Sequence, residues 1–373
     1  MVLPVSITLL LASLYSMVMI LLSWGLGRLR KNQTLSQDDP VSVTVIIPFR
    51  NEKERLPDLV RDLARQSYPK DHVNVIFVND HSQDGSKESL KLLIGNNSRF
   101  ICLDLPGDKS GKKEALSLAV QHAKSEWIIQ TDADCRVGPQ FIASHMAFRE
   151  KHNSDMVAGL VTTREGAGGL LEYFERLDLL SLVGAGAGSF HFNMPLMCNG
   201  ANLAYSRKLF HETRPYDPAG KLASGDDMFL MIGAWKLGKS LSYNASREGM
   251  VQTLPVRNLG ELIAQRIRWG SKTVHYRTPH IQSVGLLVAI TNFLILLIPV
   301  SLFLAPGYWH WLLLAFIIKT LGDFWILYRV TGLSGQRKSL RAFLPVSIVY
   351  YLFQMVITAG SLFMPPVWKG RQY

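Results

Sequence analysis

Two aspartates stand one residue apart where an apolar run of the chain ends. The run that contains Ile128 and Ile129 is followed by Asp132 and Asp134, so a β-prone stretch delivers two carboxylates to its end. Carboxylates at this spacing can chelate or bridge one hard cation, and Mg²⁺ or Mn²⁺ suits carboxylates combined with phosphate oxygens. Surface turns contain the same two-acid pattern by chance. The position after a buried strand favours the metal interpretation, in which the cation in turn binds a diphosphate.

Further polar residues follow two other predicted strands. Pro48 and Glu52 lie in a Pro-Phe-Arg-Asn-Glu segment after the first strand, and Asp80 follows the second. Ordinary turn and helix-cap chemistry is one interpretation of these residues. The functional interpretation places Glu52 and Asp80 on the polar edge of a base or ribose.

A cationic segment, Lys-Ser-Gly-Lys-Lys, places Lys112 beside a glycine at a predicted helix start. Cations and free backbone N–H groups at a helix N-terminus suit phosphate binding. The spacing differs from that of a Walker P-loop. Lysines exposed on a helix surface are the alternative interpretation.

Two adjacent acids, Asp226 and Asp227, precede an apolar helical pattern. The helix dipole favours acids in a first turn, which is the structural interpretation of this pair. The functional interpretation is a general base at a loop–helix junction, because a neighbouring acid strengthens one carboxylate as a base.

The segment that runs from Gln265 to Trp269 combines an amide, arginines and an indole within about one helical turn. Arg268 can bind a diphosphate bidentately, and Trp269 can stack on a sugar. The alternative is an amphipathic helix at a membrane surface, with its arginines extended toward the headgroups.

The composition separates a water-exposed middle from apolar ends. The chain has 373 residues and a formal net charge of +11. Its basic residues form no single arm, and several flank hydrophobic stretches, as at Arg28, Arg268 and Arg337. This distribution indicates membrane lipids and phosphate groups as partners and argues against nucleic acid. The three cysteines are widely separated and match neither a zinc nor a disulfide pattern.

From residue 41 the chain alternates apolar, strand-like runs with amphipathic helical segments. Strands are expected near residues 43–47, 73–78, 100–103 and 127–131, and helices near 54–66, 86–93 and 113–123. Such alternation predicts a parallel sheet covered by helices on both faces. Ligands of these sheets bind beyond the carboxyl ends of the strands, where the polar residues described above are expected.

Four apolar stretches predict membrane-spanning helices. They lie at residues 3–26, 284–304, 311–328 and 343–364. About 20 apolar residues are enough to cross a bilayer. Basic residues beside the spans mark the cytoplasmic side, so we expect the N-terminus outside and the α/β domain in the cytoplasm. The orientation of the last stretch stays open, because Lys369 and Arg371 follow it.

These patterns divide the chain into four regions. We predict an N-terminal transmembrane anchor at residues 1–27, a cytoplasmic α/β domain at 41–255, an amphipathic interfacial segment at 256–280 and a transmembrane region at 281–373. The polar residues 32–39 are expected to form a short linker. The glycine- and leucine-rich segment 166–190 fits either an interfacial helix or one that lines an acceptor, because its periodicity does not decide.

The chain resembles the membrane-embedded family-2 glycosyltransferases, a group that includes cellulose, chitin and hyaluronan synthases and ceramide glucosyltransferases. The resemblance rests on the order of the motifs Pro-x-Arg-Asn-Glu, Asn-Asp, Gly-Lys-Lys, Asp-x-Asp, Asp-Asp and Gln-x-x-Arg-Trp between one anchor and three C-terminal spans. It covers about residues 41–273. It implies a GT-A domain at 41–255, with a Rossmann-like α/β fold and a mixed or parallel sheet, combined with one N-terminal and three C-terminal transmembrane helices.

The resemblance also implies a role for each motif. Asp227 would be the catalytic base with Asp226 beside it, and Asp132 and Asp134 would hold Mg²⁺ or Mn²⁺. The nucleotide-sugar site would be formed by Pro48, Glu52, Asp80, Lys112, Asp132, Gln265, Arg268 and Trp269. The chain has Gly-Asp-Asp where processive synthases commonly have Thr-Glu-Asp, which leaves processivity open.

We therefore expect an inverting, metal-dependent transferase that moves a sugar from a UDP-sugar to a hydroxyl of a membrane-associated lipid. A processive polysaccharide synthase with a glycan acceptor is the alternative. A catalytically silent, nucleotide-binding membrane subunit is a third interpretation. In each case we expect a multi-pass protein of the inner or plasma membrane, and the enzyme would serve cell envelope polysaccharide or glycolipid biosynthesis.

Overall fold

The computed structural model describes residues 2–29, 40–166, 168–216, 225–299, 303, 306–364, 367–368 and 371–372. The chain forms two compact units. One, the α/β unit, consists of Leu29–Arg164 and Met197–Leu254. The other, the helical unit, consists of Met1–Arg28, Glu165–Leu196 and Pro255–Tyr373. The expected linker at residues 32–39 and the end of the predicted span 284–304 lie outside the described residues.

The helices and strands alternate along the first part of the chain as the sequence predicts, with ends displaced by only a few residues. The helices are α1 (Val2–Arg28), α2 (Leu56–Ala64), α3 (Ser86–Ile94), α4 (Lys112–His122), α5 (Phe141–His152), α6 (Leu170–Phe190), α7 (Arg207–Thr213), α8 (Asp226–Lys236), α9 (Leu259–Gly270), α10 (Pro279–Leu296), α11 (Trp309–Ser334) and α12 (Phe343–Phe363). The strands are β1 (Val43–Phe49), β2 (Val73–Asn79), β3 (Phe100–Asp104), β4 (Trp127–Gln130), β5 (Arg136–Val137), β6 (Met156–Gly159), β7 (Val161–Thr163), β8 (Leu203–Ser206), β9 (Leu241–Asn244), β10 (Val251–Thr253), β11 (Val367–Trp368) and β12 (Arg371–Gln372).

In the described part of the α/β unit, the main sheet has seven strands in the order β3-β2-β1-β4-β8-β6-β9. Strand β1 pairs in parallel with β2 on one side and β4 on the other, and β2 pairs in parallel with β3. The expected parallel arrangement is therefore present from β1 to β4. Strand β8 runs antiparallel to both β4 and β6, so the sheet as a whole is mixed. A smaller sheet joins β10 to β5 and β7.

The core of the α/β unit is built from strands that are apolar along their whole length. Residues 43–47 of β1 are all buried, as expected for a strand with covered faces on both sides of its sheet. Helix α2 buries Leu56, Leu59, Val60 and Leu63, whose spacing places them on one helical face. The apolar residues of the strands and of α2 form the core, and polar residues such as Glu52 and Asp132 follow the ends of the strands.

Among the described residues, four helices of the helical unit are long and apolar enough to cross a membrane. The candidate spans are Val5–Arg28, Pro279–Leu296, Pro306–Ser334 and Arg337–Phe363. One precedes the α/β unit in the sequence and three follow it, so the predicted number and order are confirmed. These helices indicate that the protein is associated with a membrane.

Helix α6 contains the glycine-rich segment whose role the sequence left open, and it belongs to the helical unit. A Cβ added at Gly188 would overlap the carbonyl oxygen of Leu22 in α1. A Cβ added at Gly25 would in turn overlap the carbonyl oxygen of Gly188. Helices α1 and α6 therefore approach each other backbone to backbone, which only small residues permit.

Candidate active site

Several of the polar residues predicted for the site lie at the carboxyl ends of neighbouring strands in the α/β unit. The sheet places β2 and β3 on one side of β1 and β4 on the other, so the ends of β1 and β4 flank a topological switch point. Such a switch point forms the ligand crevice in open α/β sheets. Asp132 and Asp134 follow β4, and Glu52 follows β1.

Lys112 is the first residue of α4 and lies among acidic side chains. Gly111 before it has a φ of 98°, a conformation that residues with a Cβ rarely adopt. The Lys112 ammonium donates to Asp132 Oδ1 at 2.5 Å. Burial disfavours the charged form of this lysine, but the carboxylates of Asp132, Asp226 and Asp227 outweigh burial and raise the pKa of Lys112 above its ordinary value. The interpretation of Lys112 as an exposed surface lysine is therefore excluded.

Asp226 and Asp227 open α8, and both carboxylates have defined partners. Asp227 Oδ2 accepts from the backbone N–H of Gly200 at 2.8 Å, and its Oδ1 accepts from the N–H of Met228 at 2.8 Å. Asp226 Oδ2 accepts from Gln130 Nε2 at 3.0 Å. These bonds orient the two acids independently, and they join the start of α8 to the end of β4.

The sequence patterns did not identify two of these partners, Gln130 and Gly200. Gln130 is buried at the end of β4, and the Tyr205 hydroxyl donates to its Oε1 at 3.3 Å. The signal for Gln130 was an amide within an otherwise apolar, buried run. Gly200 acts through its backbone and gave no signal of its own. A Cβ at this position would lie 2.9 Å from Gln130 Nε2 and 3.3 Å from Asp227 Oδ2.

Asp134 lies near two weak donors. Its Oδ2 accepts from Thr253 Oγ1 at 3.5 Å, and its Oδ1 lies 3.6 Å from Cys135 Sγ. Both Asp132 and Asp134 are half-buried. Within the described residues no group of three or more His, Cys, Asp or Glu side chains converges on a common point. Two half-exposed carboxylates still fit Mg²⁺ or Mn²⁺, because such ions usually take one or two carboxylates together with substrate phosphates and water.

Asp80 and Glu52 are buried and connect the loops at the strand ends. Asp80 Oδ2 accepts from the backbone N–H of Gly111 at 3.1 Å, and Arg50 Nη1 lies 3.8 Å from its Oδ1. Glu52 Oε2 accepts from Arg55 at 2.7 Å. Pro48 lies inside β1 and is half-buried. Asp80 therefore holds the glycine that precedes Lys112, in addition to any role toward a nucleotide.

Gln265, Arg268 and Trp269 lie on α9 in the helical unit. The Asn258 side chain caps this helix by accepting from the N–H of Glu261 at 2.9 Å. The structure thus brings together Lys112, Asp132, Asp226 and Asp227 within the α/β unit. By contrast, Gln265, Arg268 and Trp269 belong to the helical unit.

Comparisons with known proteins agree with this architecture. Residues 44–214 match the family described as Glycosyl transferase family 2. The chain is similar to the glycosyltransferase AglE of Haloferax volcanii, with 25% identity over 61% of this chain and 71% of AglE. It is also similar to a poly-beta-1,6-N-acetyl-D-glucosamine synthase of Staphylococcus aureus, with 26% identity over 42% of this chain and 37% of the synthase.

Among solved structures, the chain resembles the mannosyltransferase PcManGT from Pyrobaculum calidifontis, which was determined in complex with GDP-Man and Mn²⁺. The TM-score is 0.61 at 17% identity, over 96% of this chain and 98% of PcManGT. The chain therefore contains a family 2 glycosyltransferase domain with the GT-A fold, and the protein is a glycosyltransferase. The predicted family, fold class and enzyme class are confirmed.

Proposed function

We propose that this protein transfers a sugar, with inversion, from a nucleoside-diphosphate sugar to a hydroxyl of a membrane-associated lipid. The observation that carries the proposal is the placement of Lys112 among Asp132, Asp226 and Asp227 at the switch point of the sheet. A cation beside a candidate base is the arrangement needed when a hydroxyl attacks and a diphosphate leaves.

In the proposed reaction, an acceptor hydroxyl attacks the anomeric carbon of the donor in line with the departing diphosphate. Asp227 takes the proton of that hydroxyl. The backbone N–H groups of Gly200 and Met228 orient its carboxylate, and a carboxylate oxygen can accept more than one hydrogen bond. The bond between the anomeric carbon and the diphosphate oxygen breaks, and the diphosphate keeps the electron pair. The ammonium of Lys112 lies beside Asp132 and neutralises part of the charge that develops on the leaving group.

Asp132 and Asp134 are the proposed ligands of a divalent cation, Mg²⁺ or Mn²⁺. The ion, when bound, supplies positive charge to the diphosphate. Support comes from the half-exposed pair of carboxylates after β4 and from the Mn²⁺ in the PcManGT complex. We also propose that Asp80, Glu52 and Pro48 shape the nucleotide pocket, and that Gln265, Arg268 and Trp269 bind donor and acceptor.

Donor and acceptor class follow from separate considerations. The sequence led us to expect a UDP-sugar, whereas PcManGT was solved with GDP-Man, so both nucleotides belong in the test. Four candidate spans favour an acceptor delivered by the membrane. We propose that the α/β domain at residues 41–255 is cytoplasmic, between an anchor at 1–27 and the interfacial and transmembrane segments at 256–280 and 281–373.

The test uses the full chain in detergent, radiolabelled UDP- and GDP-sugars, Mn²⁺ or Mg²⁺, and a lipid extract. A labelled product of one sugar on an organic-soluble lipid supports the proposal. A labelled polymer would instead indicate a processive polysaccharide synthase; the similar Staphylococcus protein is named a poly-beta-1,6-N-acetyl-D-glucosamine synthase. Absence of transfer from every sugar nucleotide, with nucleotide binding intact, would indicate a silent binding subunit.

The base assignment has its own test. Asp227→Asn should lower kcat by about 10²–10⁴-fold, the usual contribution of a general base, while calorimetric nucleotide binding persists. Glu212→Gln is the matched control, because Glu212 forms a surface ion pair with Lys239 at 2.6 Å. Turnover by Asp227→Asn at the rate of this control would overturn the assignment.

A further inference from the structure

Helix α6 carries a run of charged side chains in the interior of the helical unit. Glu175, Arg176 and Asp178 are 3%, 2% and 4% exposed, although most of the helix around them is apolar. Buried charges at such positions persist only when they are paired and hydrogen-bonded. Their partners therefore reveal what α6 holds in place.

Asp178 pairs with an arginine of α9. Arg266 Nε donates to Asp178 Oδ2 at 2.5 Å, and the two side chains are 5% and 4% exposed. Arg266 Nη2 is buried with no hydrogen-bond partner within the described residues. Asp178 is therefore the carboxylate that compensates a guanidinium held out of water.

The same guanidinium touches two residues of the Gln-x-x-Arg-Trp segment. Its carbon Cζ lies 4.3 Å from the ring centroid of Trp269, within the range of a cation–π contact. Its Nη1 donates to Gln265 Oε1. Arg266 thus connects Asp178 to the indole and the amide for which we propose substrate contacts.

A second carboxylate of α6 binds the backbone of the segment that precedes α9. Glu175 Oε2 accepts from the backbone N–H of Val256 at 2.9 Å. Glu175 and Asp178 are three residues apart and so share a face of α6. The chain entering α9 and the helix itself are therefore attached to one face of α6.

We propose that Asp178 is a positioning residue for sugar transfer: through Arg266 it fixes the indole of Trp269 and the amide of Gln265. The inference rests on the proposed function only for the roles of Gln265 and Trp269 toward substrate. Loss of the Asp178 charge removes the carboxylate that is hydrogen-bonded to the guanidinium of Arg266, so the guanidinium shifts and its contacts with Trp269 and Gln265 change.

The chain offers a matched control on the same helix. Glu172 forms a buried ion pair with Arg176 at 2.6 Å and accepts from the backbone N–H groups of Gly166 and Gly168. Glu172→Gln removes the ion pair between Glu172 and Arg176, which lies near the loop that precedes α6. Asp178→Asn removes the ion pair between Asp178 of α6 and Arg266 of α9.

The first measurement is independent of catalysis. The full chain is labelled with 5-fluorotryptophan, and the ¹⁹F resonance of Trp269 is assigned by its loss in Trp269→Phe. Asp178→Asn and Arg266→Lys should shift or broaden this resonance, and Glu172→Gln should leave it in place. An unmoved resonance in both variants that break the pair, or an equal shift in Glu172→Gln, would overturn the proposal.

The second measurement is kinetic. Asp178→Asn should lower kcat/KM for the donor by about 10- to 100-fold, because small displacements of substrate-positioning groups have effects of this size. Asp178→Glu should recover part of the loss, and Glu172→Gln should stay close to the unaltered chain. Equal losses in Asp178→Glu and Asp178→Asn would contradict a positioning role. If the unaltered chain transfers no sugar, the proposed function fails while the ¹⁹F result still decides the inference.

Discussion

At the scale of single residues, the candidate base is oriented by backbone groups. Gly200 and Met228 supply one N–H each to Asp227, so its carboxylate direction depends on how closely two loops approach. Gly200 is packed against both Asp227 and Gln130. The absence of a side chain at Gly200 is therefore part of the geometry of the site.

We predict that Gly200→Ala lowers kcat by about 10-fold or more, because the added methyl group displaces Asp227 or Gln130 and even a displacement of about 1 Å is costly. Steady-state kinetics and a thermal unfolding curve check this together. Gly107→Ala is the control, since a Cβ at that exposed position meets nothing within 4 Å. Equal kcat values for the two variants would contradict the prediction.

A buried histidine predicts how stability responds to acid. Asn202 Nδ2 donates to the carbonyl oxygens of Leu160 and Gly249, so its Oδ1 accepts from His145 Nε2 at 2.7 Å. Burial lowers the pKa of His145 to about 4 from an ordinary 6.5. The folded state therefore keeps this imidazole neutral, whereas the unfolded state protonates below pH 6.5.

The stability that depends on neutral His145 is present above pH 6.5 and is lost as the pH falls toward 4. Between pH 7 and 5 the loss should be about 2 kcal/mol. Denaturant titration of the α/β unit's unfolding at these two pH values measures it. His145→Gln keeps a hydrogen-bond donor without the titration, so its pH dependence should be smaller by that amount; an unchanged slope would exclude His145 as the cause.

At the scale of secondary-structure elements, the contact between α1 and α6 depends on glycines at the crossing. Gly188→Ala should destabilise the protein, because the new Cβ overlaps the carbonyl oxygen of Leu22. Alanine otherwise stabilises a helix by up to about 1 kcal/mol relative to glycine. A loss of stability in Gly188→Ala would therefore indicate steric overlap with Leu22, whereas a gain would indicate the higher helix propensity of alanine.

Gly285→Ala in α10 is the matched control, since a Cβ there meets nothing within 4 Å. Thermal unfolding in detergent should show a lower midpoint for Gly188→Ala and an equal or higher midpoint for Gly285→Ala. A midpoint for Gly188→Ala at or above that of the unaltered chain would show that the two helices are not in backbone contact.

The sequence predicted elements better than it predicted their partners. Strands β1 to β4 and helices α2 to α4 follow from local patterns, because continuous apolar runs and the helical spacing of apolar residues are properties of short segments. The antiparallel position of β8 between β4 and β6 cannot be predicted from such local patterns, because pairing across a sheet involves residues far apart in the chain. Likewise Gln130 and Asp226 are separated by 96 positions.

The site was predicted to a similar extent. Lys112, Asp132, Asp226 and Asp227 were singled out because charged residues at strand and helix ends carry a local signal, and the structure places them near one another. Their roles in the reaction stay a prediction. The bond from Gly200 gave no such signal, since any residue has a backbone N–H. Arg266 was passed over in favour of Arg268 because sequence spacing alone does not reveal which arginine is buried against Asp178.

At the scale of the whole molecule, the helical unit contains another ion pair, in a candidate span, between a buried lysine and a half-buried aspartate. Lys319 Nζ donates to Asp323 Oδ2 at 2.6 Å, and Asp323 Oδ1 accepts from the Tyr15 hydroxyl at 2.6 Å. The ammonium also lies within 5.1 Å of the Tyr15 ring centroid and 4.6 Å of that of Tyr351. The pair thus joins α11 to α1 and α12.

We predict that Lys319→Met destabilises the protein by roughly 3–5 kcal/mol, because it leaves the half-buried carboxylate of Asp323 without its cation. The double variant Lys319→Met with Asp323→Leu should be more stable than the single variant, since it removes both charges. Thermal unfolding of the detergent-solubilised chain compares the two. A double variant that is less stable than Lys319→Met would show that each charge stabilises the fold separately.

Three separate segments of the chain form the helical unit, so residues that pair within it are synthesised at different times. The chain passes between the two units four times, at residues 28, 164, 196 and 254. Asp178 is synthesised 88 positions before Arg266. At a synthesis rate of about 5–20 residues per second, Arg266 is synthesised roughly 4–18 s after Asp178. The Asp178 carboxylate can therefore meet the Arg266 guanidinium only after residues 197–254 of the α/β unit have been synthesised.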